Sequence, residues 1–349
     1  MRFVHEGDFH LGATPESSTS WGKERAAAVS SSLLRVIDLC NAEKADLLLI
    51  PGDLFNAPPL RAQLREAAYQ FSRLEKTRVA LIAGNHDYLT SGGIYEDFDF
   101  GPNVIFINTK RITSFYIDEL NTVIHGFSYY GKELRDPVLD GIKAPQDDRI
   151  HVLLAHGGDA SHLPIKYSEL AASGFDYIAL GHIHQPKLFK GTHMAFCGSP
   201  EPLDKTDIGP RGCFVGEVTK DGFSIMWHPL AKTQYRRLDI VSDISLTQGA
   251  LEDTVREELE FHPEDILIVH LSGSREPDFE IDKDAVLALG RVADVIDETT
   301  PEYDLDRLLR EHDGDIVSYY IQTLGDEDAS PATKKALYYG LNALLSEKR

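Results

Sequence analysis

Seven residues of metal-binding type share one feature: each follows a short apolar run that has the composition of a β-strand. In chain order they are Asp8, His10, Asp53, Asn85, His156, His182 and His184. Side chains that only fill a core have no reason to cluster at strand ends, whereas carboxylate, amide and imidazole groups are ligands for divalent cations. Two such cations about 4 Å apart can clamp an in-line displacement at phosphorus. The pattern therefore predicts metal-assisted hydrolysis of a phosphate ester.

The spacing within the first three motifs suits a shared centre. Asp8 and His10 are two positions apart, so in an extended segment both side chains would point to the same side and could bind one cation. Gly52 lets the backbone turn before Asp53, whose carboxylate can bridge two cations. Asn85 offers a neutral carbonyl oxygen, which completes a metal shell without adding negative charge.

The later motifs add imidazoles and one residue that we assign to chemistry. His182 and His184 could serve two different cations if the loop twists between them. His86 directly follows Asn85, so it should face the pocket without sharing the metal position of that residue. A histidine there can protonate a leaving oxygen or stabilise the transition state, with Asp87 orienting the imidazole. The alternative is a solvated or structural His–Asp pair.

The first hundred residues alternate between strand and helix patterns. Strands are predicted at 2–5, 46–50 and 78–82, with helices at 24–41 and 61–76 between them. This β-α-β-α-β order implies a parallel sheet with ligand sites at the carboxyl ends of its strands. Later short strands follow at 104–107, 113–117, 123–125, 150–154 and 175–180. Strands at 194–197, 213–218 and 223–228 come last, and we expect a second sheet packed on the first.

The character of the sequence changes near residue 235. An α/β domain is predicted over residues 1–234, followed by a small α+β cap over 235–298 and a helical segment over 299–349. Residues 299–302 are predicted to be a linker. The last helical pattern, at 332–346, carries Leu337, Leu341 and Leu344 on one face. That face is predicted to dock a partner helix.

Charge is distributed unevenly along the 349 residues. The net charge is −21, and residues 250–349 contribute −15 of it, with 25 acids and 10 bases. The absence of a long basic stripe argues against tight non-specific nucleic-acid binding by the isolated chain. It does not argue against phosphodiester chemistry, because bound metals would supply the positive field.

Composition also indicates the compartment. Cys40, Cys197 and Cys213 are far apart and show no CxxC spacing, so we expect reduced core thiols in a cytoplasmic protein. No apolar stretch approaches the roughly 18 residues that a membrane span requires.

Several other enzyme motifs are missing. The chain has no GxxxxGK[ST] and no GxGxxG. Phe9 stands where the second histidine of a zincin HExxH would be, and Tyr130 stands where the last glycine of a GxSxG nucleophile elbow would be. Tyr129 and Tyr130 either stack on nucleic-acid bases or pack in the core, and the sequence leaves both readings open.

The order Asp-x-His, Gly-Asp, Gly-Asn-His-Asp, His and Gly-His-x-His resembles the signature of the calcineurin-like metallophosphoesterases. Within that superfamily the chain looks most like the SbcD-type DNA-repair exonucleases and their archaeal and eukaryotic double-strand-break relatives. The resemblance is carried by the sequences at residues 8–12, 52–55, 198–202 and 209–212 and covers about residues 1–240. It implies a two-sheet metallophosphoesterase sandwich flanked by helices.

The resemblance also implies a ligand set and partners. One metal would be held by Asp8, His10, Asp53 and His184, and the second by Asp53, Asn85, His156 and His182. His86, with Asp87 beside it, would be the catalytic histidine. Such nucleases usually work with manganese, although these ligands suit iron and zinc as well. The implied substrate is DNA, and the implied partner is an SbcC-type coiled-coil ATPase. A homodimer of this chain is a second possible assembly.

The sequence is compatible with three functions: a DNA exonuclease or endonuclease, a phosphoesterase for a small substrate, and a non-catalytic scaffold. A phosphoprotein phosphatase would need an arginine just after Gly-Asp, where this chain has Leu54. A scaffold would have lost ligands, and none is lost. A phosphodiesterase acting on a small nucleotide or cyclic nucleotide remains open, because the ligand set does not distinguish it from a nuclease.

Overall fold

The computed structural model describes residues 1–325 and 330–346 and divides the chain into two compact units, Met1–Gln234 and Tyr235–Arg349. Residues 326–329 and 347–349, which belong to the predicted helical segment, lie outside the described residues. The further division of the second unit at residue 299 stays a prediction.

The first unit is an α/β sandwich of two mixed sheets with helices, as predicted from the sequence. Its strands are β1 (Arg2–His5), β2 (Leu47–Pro51), β3 (Arg78–Ile82), β4 (Val104–Phe106), β5 (Thr113–Ile117), β6 (Thr122–Gly126), β7 (Ile150–His156), β8 (Tyr177–Gly181), β9 (Lys187–Leu188), β10 (Met194–Phe196), β11 (Gly212–Val218) and β12 (Phe223–Pro229). Its helices are α1 (Gly22–Ala42), α2 (Arg61–Phe71) and α3 (Tyr167–Ala171), and a 3-10 turn covers Asp118–Leu120.

The strand order assigns the late strands differently from the sequence prediction. The first sheet runs β12-β11-β1-β2-β3-β4 and the second runs β5-β6-β7-β8-β10-β9. Strands β11 and β12 were expected in the second sheet, and that expectation is wrong. β11 pairs antiparallel with β1, from Arg2 opposite Glu217 to His5 opposite Phe214. The pairing gives β1 a neighbour on each side, because β2 lies parallel to it on the other edge.

Burial on both faces explains why the central strands are continuously apolar. In β2, Leu48 and Ile50 face a cluster that includes the buried stripe of α1. Leu47 and Leu49 face the space between the sheets, where they join residues such as Val152 from the second sheet. The carboxyl ends of β1, β2 and β3 and those of β7 and β8 therefore sit on a rigid, close-packed support.

Helix α2 ends at Phe71 and not at residue 76 as predicted. The segment after it has helix-forming residues, but it is bonded to the end of α1 instead. The Asn41 side-chain amide donates to the Arg73 carbonyl at 3.0 Å, and the Glu75 amide donates to Asn41 Oδ1 at 3.1 Å. These tertiary hydrogen bonds satisfy backbone groups that a longer helix would have used.

The second unit begins with an α/β layer. Its elements are β13 (Tyr235–Ser242), α4 (Gln248–Phe261), β14 (Ile266–Arg275), α5 (Lys283–Leu287), β15 (Val292–Asp297), β16 (Thr300–Pro301), α6 (Leu305–Glu311), α7 (Ile316–Leu324) and α8 (Pro331–Ser346). The strands β13, β14 and β15 are parallel neighbours, and β16 also pairs with β14. The predicted linker at 299–302 thus contains a short strand.

The helices at the end of the second unit use the leucine face that was predicted to dock a partner. Leu337 and Leu341 are buried and form a core cluster with Val317 and Ile321 of α7. These two leucines stabilise the helical segment itself, so the prediction that they are free for a partner helix is wrong.

Two further features concern the cysteines and the length of the helices. The three cysteines are buried and free. No helix within residues 1–325 and 330–346 combines the length and the hydropathy needed to cross a bilayer.

Candidate metal centre

The seven predicted ligands come together at the carboxyl ends of five parallel strands, three from one sheet and two from the other. In the first sheet, β1 leads to Asp8 and His10, β2 to Asp53 and β3 to Asn85; in the second, His156 ends β7, and His182 and His184 follow β8. Asp8, His10, Asp53 and His156 are buried. Asn85, His182 and His184 are partly exposed.

Left-handed backbone conformations turn four of these side chains toward the centre. The φ angles are 48° at Asp8, 47° at His10, 50° at Asp53 and 93° at His182. Asp8 and His10 were expected to share a side because they lie in an extended segment, and that reason is wrong. Their amides instead donate to the carbonyls of Gly52 and Asp53 at 3.1 and 3.0 Å, which fixes the loop. Such conformations typically cost about 1–3 kcal/mol each and cluster at functional sites.

The Asp53 carboxylate lies between imidazoles of the two predicted ligand sets. Its Oδ2 is 3.6 Å from His10 Nε2 and 3.4 Å from His156 Nε2. Its Oδ1 accepts a hydrogen bond of 2.9 Å from the His86 amide. One oxygen therefore points into the centre while the other is held by the backbone of the neighbouring loop.

Close packing around this carboxylate requires glycine at two positions. A Cβ at Gly84 would lie 2.2 Å from Asp53 Oδ1, and a Cβ at Gly52 would lie 2.5 Å from His156 Nδ1. Gly52 also has a φ of 104°, which disfavours other residues. Both glycines allow the candidate ligands to approach the strand ends.

Two of the three histidines from the second sheet, His156 and His182, each donate a proton away from the centre. His156 Nδ1 donates to the Pro51 carbonyl at 2.9 Å, and its Nε2 faces the centre, 2.8 Å from Asn85 Oδ1. His182 Nε2 lies 2.8 Å from Asp159 Oδ2, which leaves Nδ1 without a proton, 3.0 Å from the same amide oxygen. Each ring thus turns one nitrogen toward the centre, and that nitrogen can bind a cation once it is deprotonated.

The same arrangement recurs at His10 and His184. His184 Nδ1 faces Asp207 Oδ2 at 3.3 Å, and His10 Nδ1 faces Asn56 Oδ1 at 3.3 Å. The two remaining Nε2 atoms lie 3.2 Å apart. Facing lone pairs repel one another unless a positive species lies between them. Two carboxylates, one amide oxygen and four inward imidazole nitrogens therefore fit divalent cations.

The pKa values show that it is unfavourable to bury these charged groups together. Burial raises the pKa of Asp8 to about 6 and lowers that of His10 to about 3. Burial also acts to lower the pKa of His156, but the Asp53 carboxylate beside it outweighs burial and raises the value to about 9. Buried carboxylates of this kind need a compensating positive charge, which a metal can supply.

His86 is exposed and stands at the edge of the cluster. Its ring lies edge-on to that of His10, with ring centroids 4.6 Å apart. Its Nδ1 lies 3.3 Å from the Asn56 carbonyl oxygen. The imidazole is therefore anchored through one nitrogen, and Nε2 is left for a bound molecule.

Asp87 does not orient His86, and that part of the prediction is wrong. Its buried carboxylate accepts from the Gly84 amide at 2.7 Å, the Phe55 amide at 3.2 Å and the Tyr95 hydroxyl at 3.1 Å. Burial raises the pKa of Asp87 to about 7. The residue fastens the loops that follow β2 and β3 to each other, so its contribution is to the shape of the site.

The two tyrosines after β6 are used in packing. Tyr129 is buried, and its hydroxyl donates to the His156 carbonyl at 2.9 Å. The Tyr130 hydroxyl lies within hydrogen-bond distance of the Glu96 carboxylate and of the Asn108 carbonyl oxygen. Tyr129 is thus excluded as a platform for bases.

Sequence reasoning missed the groups that hold the ligand histidines: the side chains of Asn56, Asp159 and Asp207 and the carbonyl of Pro51. They lie in loops or at a strand end, where no periodic pattern marks them. For Asp159 the available signal was its place in a Gly-Gly-Asp run directly after His156. Second-layer acids near ligand histidines are common in metal sites.

Comparison with known proteins assigns the family. Residues 1–186 match the family model for calcineurin-like phosphoesterases. The chain therefore belongs to this family, whose members bind divalent metals and hydrolyse phosphate esters.

Individual relatives share less than a third of their aligned residues with this chain. The uncharacterized metallophosphoesterase YhaO of Bacillus subtilis is 29% identical over 246 residues, which cover 64% of this chain and 59% of the relative. The DNA double-strand break repair protein Mre11 of Haloferax volcanii is 28% identical over 294 residues, 79% of this chain and 62% of that protein. Mre11 of Methanopyrus kandleri is 26% identical over 254 residues, which cover 64% of this chain and 55% of that protein. The chain thus spans little more than half the length of these relatives.

Proposed function

We propose that this chain is a metal-dependent phosphodiesterase that acts on DNA as a nuclease of DNA repair. The observation that supports the chemistry best is the place of Asp53 Oδ2, within 3.6 Å of an imidazole nitrogen from each predicted ligand set. One ion would be held by Asp8, His10, Asp53 and His184, and the other by Asp53, Asn85, His156 and His182. When bound, the two cations would activate a water and neutralise charge on the phosphate oxygens.

The chain's own residues supply orientation and proton transfer in this proposal. Asp53 would offer its inward oxygen to the ions, while its other oxygen accepts a hydrogen bond from the His86 amide. The same residue, His86, donates a proton from Nε2 to the leaving oxygen while Nδ1 is anchored on the Asn56 carbonyl. The buried carboxylate of Asp87 keeps both loops in place.

The choice of DNA rests on the motifs that resemble SbcD-type exonucleases and on relatives named as DNA double-strand break repair proteins. The alternative is a phosphodiesterase for a small nucleotide or cyclic nucleotide. The ligand geometry serves both substrates equally, so the substrate has to be measured.

A gel assay separates the two proposals. The full chain would be incubated with manganese and single-stranded, double-stranded or hairpin DNA, beside a chromogenic phosphodiester and a cyclic nucleotide. Cleavage of DNA with a higher kcat/KM than that of either small ester is expected. Hydrolysis of the small substrates alone would replace the nuclease by a small-molecule phosphodiesterase. A matched Asp53→Asn protein shows which activities belong to this centre.

Manganese is proposed from the resemblance, because the ligands suit iron and zinc as well. Protein stripped with a chelator would be reloaded with each metal in turn, and the bound ions counted. We expect about two ions per chain and the highest activity with manganese. Higher activity with zinc or iron would change the metal and leave the proposed site unchanged.

The proposed partner is an SbcC-type coiled-coil ATPase, and it rests on the resemblance alone. Leu337 and Leu341 cannot form its docking surface in this fold, because both are buried against α7. Co-purification with the product of a neighbouring gene for a long coiled-coil ATPase would test the partner. Light scattering of the isolated chain would test the homodimer.

A further inference from the structure

The loop after β7 brings a carboxylate and a second histidine against the outer side of His182. Asp159 Oδ2 lies 2.8 Å from His182 Nε2 and 2.9 Å from His162 Nδ1. The two imidazole rings are 4.6 Å apart. His162 is outside the seven predicted ligands, and its Nε2 has no hydrogen-bond partner among the residues that the structure describes.

This loop is rigidly built around the same carboxylate. Asp159 Oδ1 accepts the amides of Ser161 and His162 at 2.7 and 2.9 Å. The Gly158 amide donates to the His162 carbonyl at 2.7 Å, and the Leu163 amide donates to the Leu134 carbonyl at 2.6 Å. Oδ1 therefore fixes the loop, with His162 Nδ1 also 3.1 Å from it, and Oδ2 makes the shorter contacts to both imidazoles.

The hydrogen bonds determine which nitrogen of each ring carries the proton. A carboxylate oxygen only accepts, so both His182 Nε2 and His162 Nδ1 must donate to it. His182 Nδ1 is then deprotonated and faces Asn85 Oδ1. Distances of 2.8 and 2.9 Å are those of charge-assisted hydrogen bonds. The three groups thus form a hydrogen-bonded unit behind His182.

We propose that Asp159 is a positioning residue that holds His182 in the tautomer with Nδ1 free for the metal centre, with His162 as the second donor to the same carboxylate. The inference rests on the proposed role of His182 as a ligand. Asp207 holds His184 in the opposite way, through Nδ1, so that Nε2 faces inward. The two histidines of the Gly-His-x-His motif therefore present different nitrogens, and each has its own aspartate.

Replacement of Asp159 by asparagine gives a sharp test, because the two are nearly the same size. The amides of Ser161 and His162 both need an acceptor, so the asparagine oxygen should take the Oδ1 position. Its NH₂ group would then face His182 Nε2 and donate to it. Asp159→Asn should therefore reverse the His182 tautomer, whereas His162→Phe should preserve it.

The readout is the protonation of the His182 ring nitrogens, measured by long-range ¹H–¹⁵N NMR on metal-free protein and assigned with His182→Gln. The wild-type chain should show Nε2–H, and Asp159→Asn should show Nδ1–H. Asp140→Asn is the matched control, because that carboxylate bonds Lys166 and not a candidate ligand. A wild-type His182 that carries its proton on Nδ1 would overturn the proposal without any variant.

Metal binding supplies the second readout. Loss of a second-layer partner typically lowers metal affinity about 10- to 100-fold. In a manganese titration of Asp159→Asn, the affinity for one ion should be lower by about that factor, and the affinity for the other ion should be unchanged. Two unweakened ions in a protein with an unchanged His182 tautomer would refute the positioning role. If the wild type binds no manganese but shows the expected tautomer, the proposed metal centre fails and the tautomer assignment remains.

Discussion

Asp53 is the residue on which the two proposed metal positions depend, because one of its oxygens lies near an imidazole from each sheet. Asp53→Asn removes the negative charge that both positions would share. We expect the metal content to fall from about two ions per chain to one or none, measured by elemental analysis after gel filtration. Asp38→Asn, which changes an exposed carboxylate on α1, should leave the content unchanged. Two tightly bound ions in Asp53→Asn would contradict the bridging role.

His86 belongs to the chemistry and not to the ligand set in this proposal. A proton donor of this kind typically contributes about 10²–10⁴ in rate. His86→Asn should keep two ions bound while kcat falls by about that factor on DNA, whose leaving group needs a proton. The loss should be small for an activated nitrophenyl ester. His193→Asn, a change at another exposed histidine, serves as the control.

Three outcomes of the His86 experiment have different meanings. An equal loss on DNA and on the nitrophenyl ester would favour stabilisation of transition-state charge over proton donation. Loss of an ion would make His86 a ligand, which its place within reach of His10 and Asp53 allows. Unchanged kcat on DNA would remove His86 from the mechanism.

The sequence predicted the seven candidate ligands because their types are distinctive and each follows a strand. It could not predict how they are aimed. The φ angles of 48° at Asp8 and 47° at His10 arise from hydrogen bonds to the chain after β2, which no local pattern encodes. The roles of Asp87 and Asp159 depend likewise on partners far away in sequence, such as Tyr95 and His182.

At the scale of elements, a row of hydrogen-bonded side chains with two buried histidines in its middle ties three neighbouring strands of the second sheet together. Ser114 on β5 bonds His125 Nδ1 on β6 at 2.8 Å, and His125 Nε2 lies 2.9 Å from His151 Nδ1 on β7. His151 Nε2 ends the row on Asp147 Oδ1 at 2.9 Å. His151 is fully buried. Each member satisfies the next, which is how a sheet can bury two histidines at low cost.

His151→Leu would leave the His125 Nε2–H without an acceptor. An orphaned buried donor costs about 1–3 kcal/mol, so the free energy of unfolding should fall by about that amount in a denaturant titration. The double variant His125→Phe/His151→Leu removes both partners, and its loss should be smaller than the sum of the two single losses. Additive losses would show that the two histidines are not coupled. Asp148→Ala is the control. Residue 148 lies next to Asp147, where this row of hydrogen bonds ends, and its replacement should change the free energy of unfolding little.

Local periodicity predicted most strands but not their partners. The β-α-β-α-β start and the strand at Thr113–Ile117 agree with the prediction, because burial on one or both faces is visible in the order of apolar residues. The assignment of β11 to the first sheet depends on pairing with β1, more than two hundred residues away. The early end of α2 depends on one side chain, Asn41, at the end of α1.

At the scale of the whole molecule, the two units differ strongly in charge. Residues 235–349 carry 27 acids and 12 bases, a net charge of −15, while residues 1–234 carry −6. The three core clusters of the first unit consist of residues between 1 and 230. A cut after Gln234 therefore keeps those clusters whole, whereas a cut near Asp239 would divide β13.

A shortened chain of residues 1–234 should retain its activity on a small ester and should have a lower KM for DNA. The seven candidate ligands and His86 all lie within it, so kcat/KM for a nitrophenyl phosphodiester should match that of the full chain. Removal of 15 net negative charges should lower KM for DNA at low salt, because like charge repels the phosphate backbone. At 0.1 M salt, where screening acts over about 10 Å, the advantage should shrink.

Circular dichroism and metal counting verify that the shortened chain is folded and has bound its metal ions. Loss of small-ester hydrolysis in a folded, loaded protein would show that the second unit shapes the catalytic site. A KM for DNA that rises on truncation would make the acidic unit a contributor to DNA binding.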